Sequence, residues 1–201
     1  MKRADRKAMI RQDQTSKMMI VLAMALSVYL ATFETTTLIL FPALLLTFGI
    51  VMEFFLERKT EDISNTRDKG SWKEIGFYSI LALFGLFITG FAVKTFTLGI
   101  TLSGFSSIAY GVLMAIAEEQ FFRGFITDLF LSRIKQSFVA IFLAGATFAV
   151  YHIARYAVEP EAMIYVLAGG VILSWVAYRS RRLSPGMVAH VINNLRAAFG
   201  V

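Results

Sequence analysis

Cysteine is absent from the 201 residues, which excludes disulfide scaffolds, thiolate zinc sites and a cysteine nucleophile. Without thiols the composition carries no report on redox compartment. Charge is scarce as well. Asp, Glu, Lys and Arg make up 17% of the chain, against about a quarter in a soluble domain. Proline occurs only three times, and no internal repeat or low-complexity segment is present. What fills the chain instead is apolar: 57% hydrophobic residues, among them 19 Phe and 9 Met. This is the composition of an integral membrane protein. The net charge of +6 is unevenly placed. Lys2, Arg3, Arg6, Lys7, Arg11 and Lys17 precede the first apolar run, opposed only by Asp5 and Asp13. A basic tail can bind nucleic acid, but beside a membrane span it sets orientation and meets anionic headgroups. The expected partner is therefore the lipid bilayer and not a nucleic acid.

The apolar runs read as membrane helices. The first extends from Met18 to about Phe33 and follows basic residues as a signal peptide would. No small-x-small cleavage site closes it and further spans follow, so an uncleaved first helix is expected. After Glu34 and Thr35 to Thr37, a second run covers Leu38 to Phe55 and tolerates Pro42 near its start. Residues 57–74 are polar and charged, the longest solvated loop in the chain. The third run is Ile75 to Val93. A Gly/Ser/Thr-rich stretch from Thr95 to Ser107 is either a re-entrant piece or the start of the fourth helix, Ile108 to Leu131. Phe138 to Tyr156, Ala162 to Tyr178 and Pro185 to Phe199 complete the series, the last short for a span of about twenty residues. Gly169–Gly170 is expected to allow close helix contact.

The fold expected is all-α: a polytopic, multi-pass bundle of about seven transmembrane helices in the cell membrane, with its site inside the bundle. The organisation expected is a basic cytoplasmic tail at 1–17, a two-helix hairpin at 18–56, a cytoplasmic loop at 57–74 and the main bundle at 75–201. Loop charge supports this. With the N-terminus inside, the internal segments hold nearly all the loop Lys and Arg, and the external ones little beyond Lys94 and Arg155.

Ionisable side chains in apolar spans are functional candidates by default, because each costs several kcal/mol in lipid. Three places qualify. The fourth span carries Glu118, Glu119 and Arg123; the fifth carries Phe148 and His152; the last carries His190 and Asn194. His152 and His190 are the only histidines. Glu119 and Arg123 are four apart with the acid first, the favourable order for a helical ion pair. Glu118 is rotated about 100° from Glu119, so it faces elsewhere. Glu119 is thus expected to serve structure and Glu118 to stay available as a general base. His190 and Asn194 share one helical face and can donate to one oxyanion. Depth argues less well. At 1.5 Å per residue, Glu118 lies about 15 Å from the outer end of its span, His152 about 21 Å into its own and His190 only about 8–9 Å. The three levels coincide only if a helix tilts or starts deeper. Plainer roles stand beside these: a Glu–Arg pair fixes helix packing, a lone His bonds locally, and Phe148 is by periodicity an ordinary apolar contact.

E-E-x-x-x-R (Glu118 to Arg123), F-x-x-x-H (Phe148 to His152) and H-x-x-x-N (His190 to Asn194) occur in order. Together they resemble the CPBP family, the CAAX proteases and bacteriocin-processing enzymes also called Abi proteins. The resemblance covers roughly residues 111–194 and leaves the first two spans unmarked. It implies an intramembrane glutamic-type endopeptidase. Glu118 and His152 would activate water, His190 and Asn194 would stabilise the tetrahedral oxyanion, and Glu119, Arg123 and Phe148 would support the site. Two His and one Glu also suit a three-ligand zinc centre, but that centre would leave Asn194 and the general base unaccounted for, and no H-E-x-x-H is present. The metal-free, cofactor-free reading is preferred, with zinc as the alternative. The substrates implied are membrane-embedded or membrane-bound peptides or proteins, such as bacteriocin precursors or pheromones. The competing reading is a non-proteolytic membrane protein that gives bacteriocin self-immunity or modulates a membrane partner.

Overall fold

The computed structural model describes residues 3–32, 40–57, 71–93 and 105–198. Among them there are helices and connecting turns and no strand. Helix α1 is Arg3–Ala31 and α2 is Leu40–Glu57. Helix α3, Trp72–Ala92, starts at a reciprocal cap: Glu74 N–H donates to the Ser71 hydroxyl while Ser71 N–H donates to the Glu74 carboxylate. Helix α4, Phe105–Glu118, runs directly into a π-helical segment, Glu119–Thr127, and then α5, Asp128–Arg133. Helix α6 is Ser137–Tyr151 and α7 is the single turn Ile153–Tyr156. Helix α8, Pro160–Ser180, has proline in its first turn, where no intrahelical donor is lost. Helix α9 is Ser184–Ala198.

Each expected run has a helix within it, with some differences of boundary. Helix α1 extends back through the basic tail to Arg3, since Lys and Arg are good helix formers and nothing there breaks a helix. The cap at Ser71 takes α3 three residues into the expected loop; residues 58–70 of that loop and 95–104 of the Gly/Ser/Thr stretch lie outside the described residues. The fifth run ends early, at Tyr151, and turns at His152.

Among the described residues two helices, α3 and α8, each of 21 residues, are long and apolar enough to cross a membrane. That is fewer than the seven crossings expected. Three other apolar stretches, Lys17–Ala31, Leu40–Phe55 and Ser137–Tyr151, are shorter. The helical run of 105–133 changes pitch part-way and carries Glu118, Glu119, Arg123 and Asp128.

The core explains why these helices meet. Phe121, Phe122, Phe125, Ile126, Leu129 and Phe130 are buried together with Phe148 and Tyr151 of α6, and with Phe41 and Leu45 of α2. A smaller cluster joins Ala82 and Leu86 of α3 to Leu173 and Val176 of α8 and Ala189 of α9. Helices α6 and α8 pack most intimately. A Cβ on Gly145 would lie 2.5 Å from Val171 Cγ2 and 2.7 Å from its backbone nitrogen, and one on Gly170 would lie 2.9 Å from Gly145 Cα. Of the expected Gly169–Gly170 pair, Gly170 makes that backbone contact; Gly169 faces Leu86.

Candidate active site

Glu118 is the last α-helical residue before the π segment, and it is 5% exposed. Its Oε1 lies 3.9 Å from His152 Nε2 and its Oε2 lies 3.6 Å from His190 Nε2. Three sequence-distant helices thus bring one carboxylate and both imidazoles of the chain together. The depths estimated from helix starts did not coincide, yet the groups meet. Part of the reason is that α4 begins at Phe105 and not Ile108, which sets Glu118 about a turn deeper. His152, moreover, is a helix cap, so its ring is not held to the face of an uninterrupted span.

The outer nitrogens fix the tautomers. His152 Nδ1 lies 2.9 Å from the carbonyl oxygen of Phe148. A carbonyl only accepts, so Nδ1 donates and Nε2 of a neutral ring is an acceptor facing Glu118. Tyr156 stacks nearly parallel to the ring, 6.1 Å between centroids at 11°, and Phe148 holds its other neighbour position at 4.4 Å. His190 Nδ1 donates to Glu119 Oε1 at 2.8 Å, which leaves its Nε2 aimed at Glu118.

Glu119 is fully buried, and its partner on the same helix is the equally buried Arg123: Nη1 lies 3.1 Å from Oε1. The N–H groups are not aligned for a directed hydrogen bond, so the pairing is electrostatic in character. Arg123 also places its guanidinium carbon 4.3 Å over the Phe148 ring. A desolvated cation–π contact of this kind contributes about 2 kcal/mol. Phe148 therefore links the arginine to the His152 ring, which periodicity alone did not reveal. Glu119 likewise has two partners where one was expected: it neutralises Arg123 and orients His190.

Asn194 lies on the same face of α9 as His190. Its amide donates to the Gly111 carbonyl of α4 at 3.2 Å, so one of its two N–H groups is engaged there. Several other contributors carried no evident mark in the sequence. A Cβ on Gly186, in the first turn of α9, would lie 2.6 Å from Glu119 Oε2, so glycine is what admits that carboxylate. Glu53 of α2 accepts a hydrogen bond from the Gln120 side chain. An acid inside the apolar run FGIVMEFF was the available signal for Glu53. Among the described residues, no three His, Cys, Asp or Glu side chains are gathered so as to hold a metal ion.

Residues 101–196 match the family model described as type II CAAX prenyl endopeptidase Rce1-like. The match agrees with the CPBP resemblance carried by the three motifs, over 96 of the 201 residues. The family is one of membrane-embedded proteases that act on membrane-associated proteins. All seven residues of the three CPBP motifs fall within the match; α1, α2 and α3 lie before it. No curated protein and no solved structure matches the chain.

Proposed function

We propose that this CPBP-family chain is a multi-pass intramembrane endopeptidase of about seven spans, which hydrolyses a peptide bond in a membrane-delivered peptide or protein. The observation that carries the reading is the convergence of Glu118 on His152 and His190 inside a helical bundle. Separations of 3.6 and 3.9 Å are too long for direct hydrogen bonds, and a small widening of the Glu118–His152 gap admits one water between them. Glu118 Oε1 and His152 Nε2 are both acceptors in the tautomer described, and two facing acceptors repel unless a donor lies between them. A water donating one hydrogen to each satisfies both and presents its lone pair outward. On attack at a substrate carbonyl, Glu118 takes the water proton and the carbonyl oxygen becomes an oxyanion. In its imidazolium form, with Nδ1–H held by Glu119, His190 presents Nε2–H, and this group and the second N–H of Asn194 are donors suited to that oxyanion. Collapse breaks the C–N bond and returns the proton to the leaving amine. No metal is needed for these steps.

The bilayer reading draws on α3. Phe77, Ile80, Phe84, Phe87, Ile88 and Phe91 are each half exposed or more, an apolar face that lipid accommodates and water does not. The decisive experiment compares membrane peptide profiles from cells with the wild-type chain and with Glu118→Ala. At least one membrane peptide should be cleaved only with the wild type. Identical profiles, with both proteins present at equal levels, would remove the endopeptidase reading.

A further inference from the structure

The π segment is unusual in length, since π-helical hydrogen bonding mostly occurs as single turns and at functional sites. Here it spans Glu119–Thr127 and every residue in it is buried. Within it, the Thr127 hydroxyl donates to the carbonyl of Phe122, five residues back, and touches Ser174 of α8 at 3.2 Å. Its pitch matters to the site. Glu118 precedes the segment, whereas Glu119 and Arg123 lie inside it. A return to α-helical pairing would rotate the downstream residues by roughly 100° for each residue of register relative to Glu118. Something must therefore hold this pitch against the more favourable α-helix.

Helix α2 is shaped to do so. At Gly49 it lies against the backbone of the π segment, where a Cβ would be 3.1 Å from both Phe121 N and Phe121 Cα. One turn further, Glu53 accepts from the Gln120 side chain, the residue beside Glu119. Gly124 opens the space for that pair: a Cβ there would lie 2.9 Å from Glu53 Oε2 and 2.9 Å from Gln120 Nε2. An acid in an apolar helix is costly unless it has work to do. We propose that Glu53 is a positioning residue: from α2, outside the segment matched to the family, it clamps Gln120 and so holds the π pitch that sets Glu119 and Arg123 against Glu118. The consequence for turnover rests on the endopeptidase reading; the clamp itself does not.

The test uses the full chain in lipid nanodiscs and two readouts, amide hydrogen exchange resolved over residues 119–127 and turnover of a membrane-tethered peptide. Glu53→Leu removes the acceptor. Exchange over 119–127 should rise about 10-fold or more, and kcat should fall about 10-fold or more at little changed KM, because small misplacements are costly in rate. Glu53→Gln keeps an acceptor oxygen and should restore both to within about 3-fold. Gly124→Ala leaves both polar groups in place but crowds them apart, and should act in the same direction as Glu53→Leu. The double variant Glu53→Leu with Gln120→Leu removes both members of the pair. It should recover abundance without recovering protection. Unchanged exchange over 119–127 in Glu53→Leu would overturn the clamp, as would a general loss of thermal stability with protection and kcat intact. If the wild-type chain cleaves nothing, the endopeptidase reading fails, and the exchange readout still decides the clamp.

Discussion

At the residue scale the two adjacent glutamates part company. Glu118 lies 3.9 Å from His152 and 3.6 Å from His190, so Glu118→Gln removes a proton acceptor beside both imidazoles and keeps the shape. The protein should accumulate normally while turnover falls about 10²-fold or more, read as kcat per folded molecule. Glu119→Gln is the harder variant. It removes the ion-pair partner of the buried Arg123, and breaking such a pair on one side costs about 3–5 kcal/mol. It also weakens the acceptor that aims His190. Thermal stability should therefore drop, and turnover per folded molecule should drop too. Adding Arg123→Met should recover much of the stability but not the turnover, because the His190 contact is still impaired. Recovery of both together would show that Glu119 acts on packing alone. The proposed chemistry also routes no step through a metal. Exposure to a strong zinc chelator should leave peptide turnover within about 2-fold of the untreated protein, and abolition of turnover that returns with added zinc would reverse this assignment.

At the level of elements, glycine contacts separate packing from propensity. Gly145→Ala would drive a methyl group into Val171, backbone included, and backbone cannot swing aside as a side chain can. A loss of about 1–3 kcal/mol or more is expected, measured as a lower midpoint of thermal unfolding in detergent. Gly76→Ala on α3 meets nothing within 4 Å and should be neutral or gain up to about 1 kcal/mol from helix propensity. If Gly145→Ala were as harmless, the α6–α8 approach would be looser than described. The same elements show what could be read in advance. Hydropathy located a helix in every apolar run, because helix is the way to satisfy a backbone in an apolar setting. Motif spacing put Glu118, His152, His190 and Asn194 on candidate faces. What periodicity could not supply was the π pitch, which has no simple compositional signature, or the turn at His152. Nor could it show that Gly186 makes room for Glu119. These depend on contacts between residues about 70 apart, such as His190 with Glu119.

For the whole molecule, the proposal depends on which surface faces lipid and which loops face the cytoplasm. The Lys and Arg distribution predicts that the N-terminus and residues 57–74 lie inside and Glu159 to Glu161 outside. Reporter fusions at residue 65 should read cytoplasmic, and an external signal would invert the arrangement.

The lipid-facing assignment can be tested more sharply on α3, because water and lipid give opposite answers there. Ile80 is 69% exposed and sits near the middle of the 21-residue helix. In a water-soluble bundle, an exposed Ile→Asp change would fall within about 0.5 kcal/mol of neutral, and it would improve solubility. At the centre of a membrane helix an aspartate costs about 2.5–3.5 kcal/mol of insertion free energy. Ile80→Asp should therefore lower the membrane-inserted fraction strongly, while Ile80→Leu at the same position should not. Ala82, two residues on, is fully buried against α8 and α9, so Ala82→Asp should be harmful in either medium and calibrates the assay. Normal membrane accumulation of Ile80→Asp beside loss of Ala82→Asp would mean that this face of α3 meets water, and the intramembrane placement of the whole bundle would fall with it.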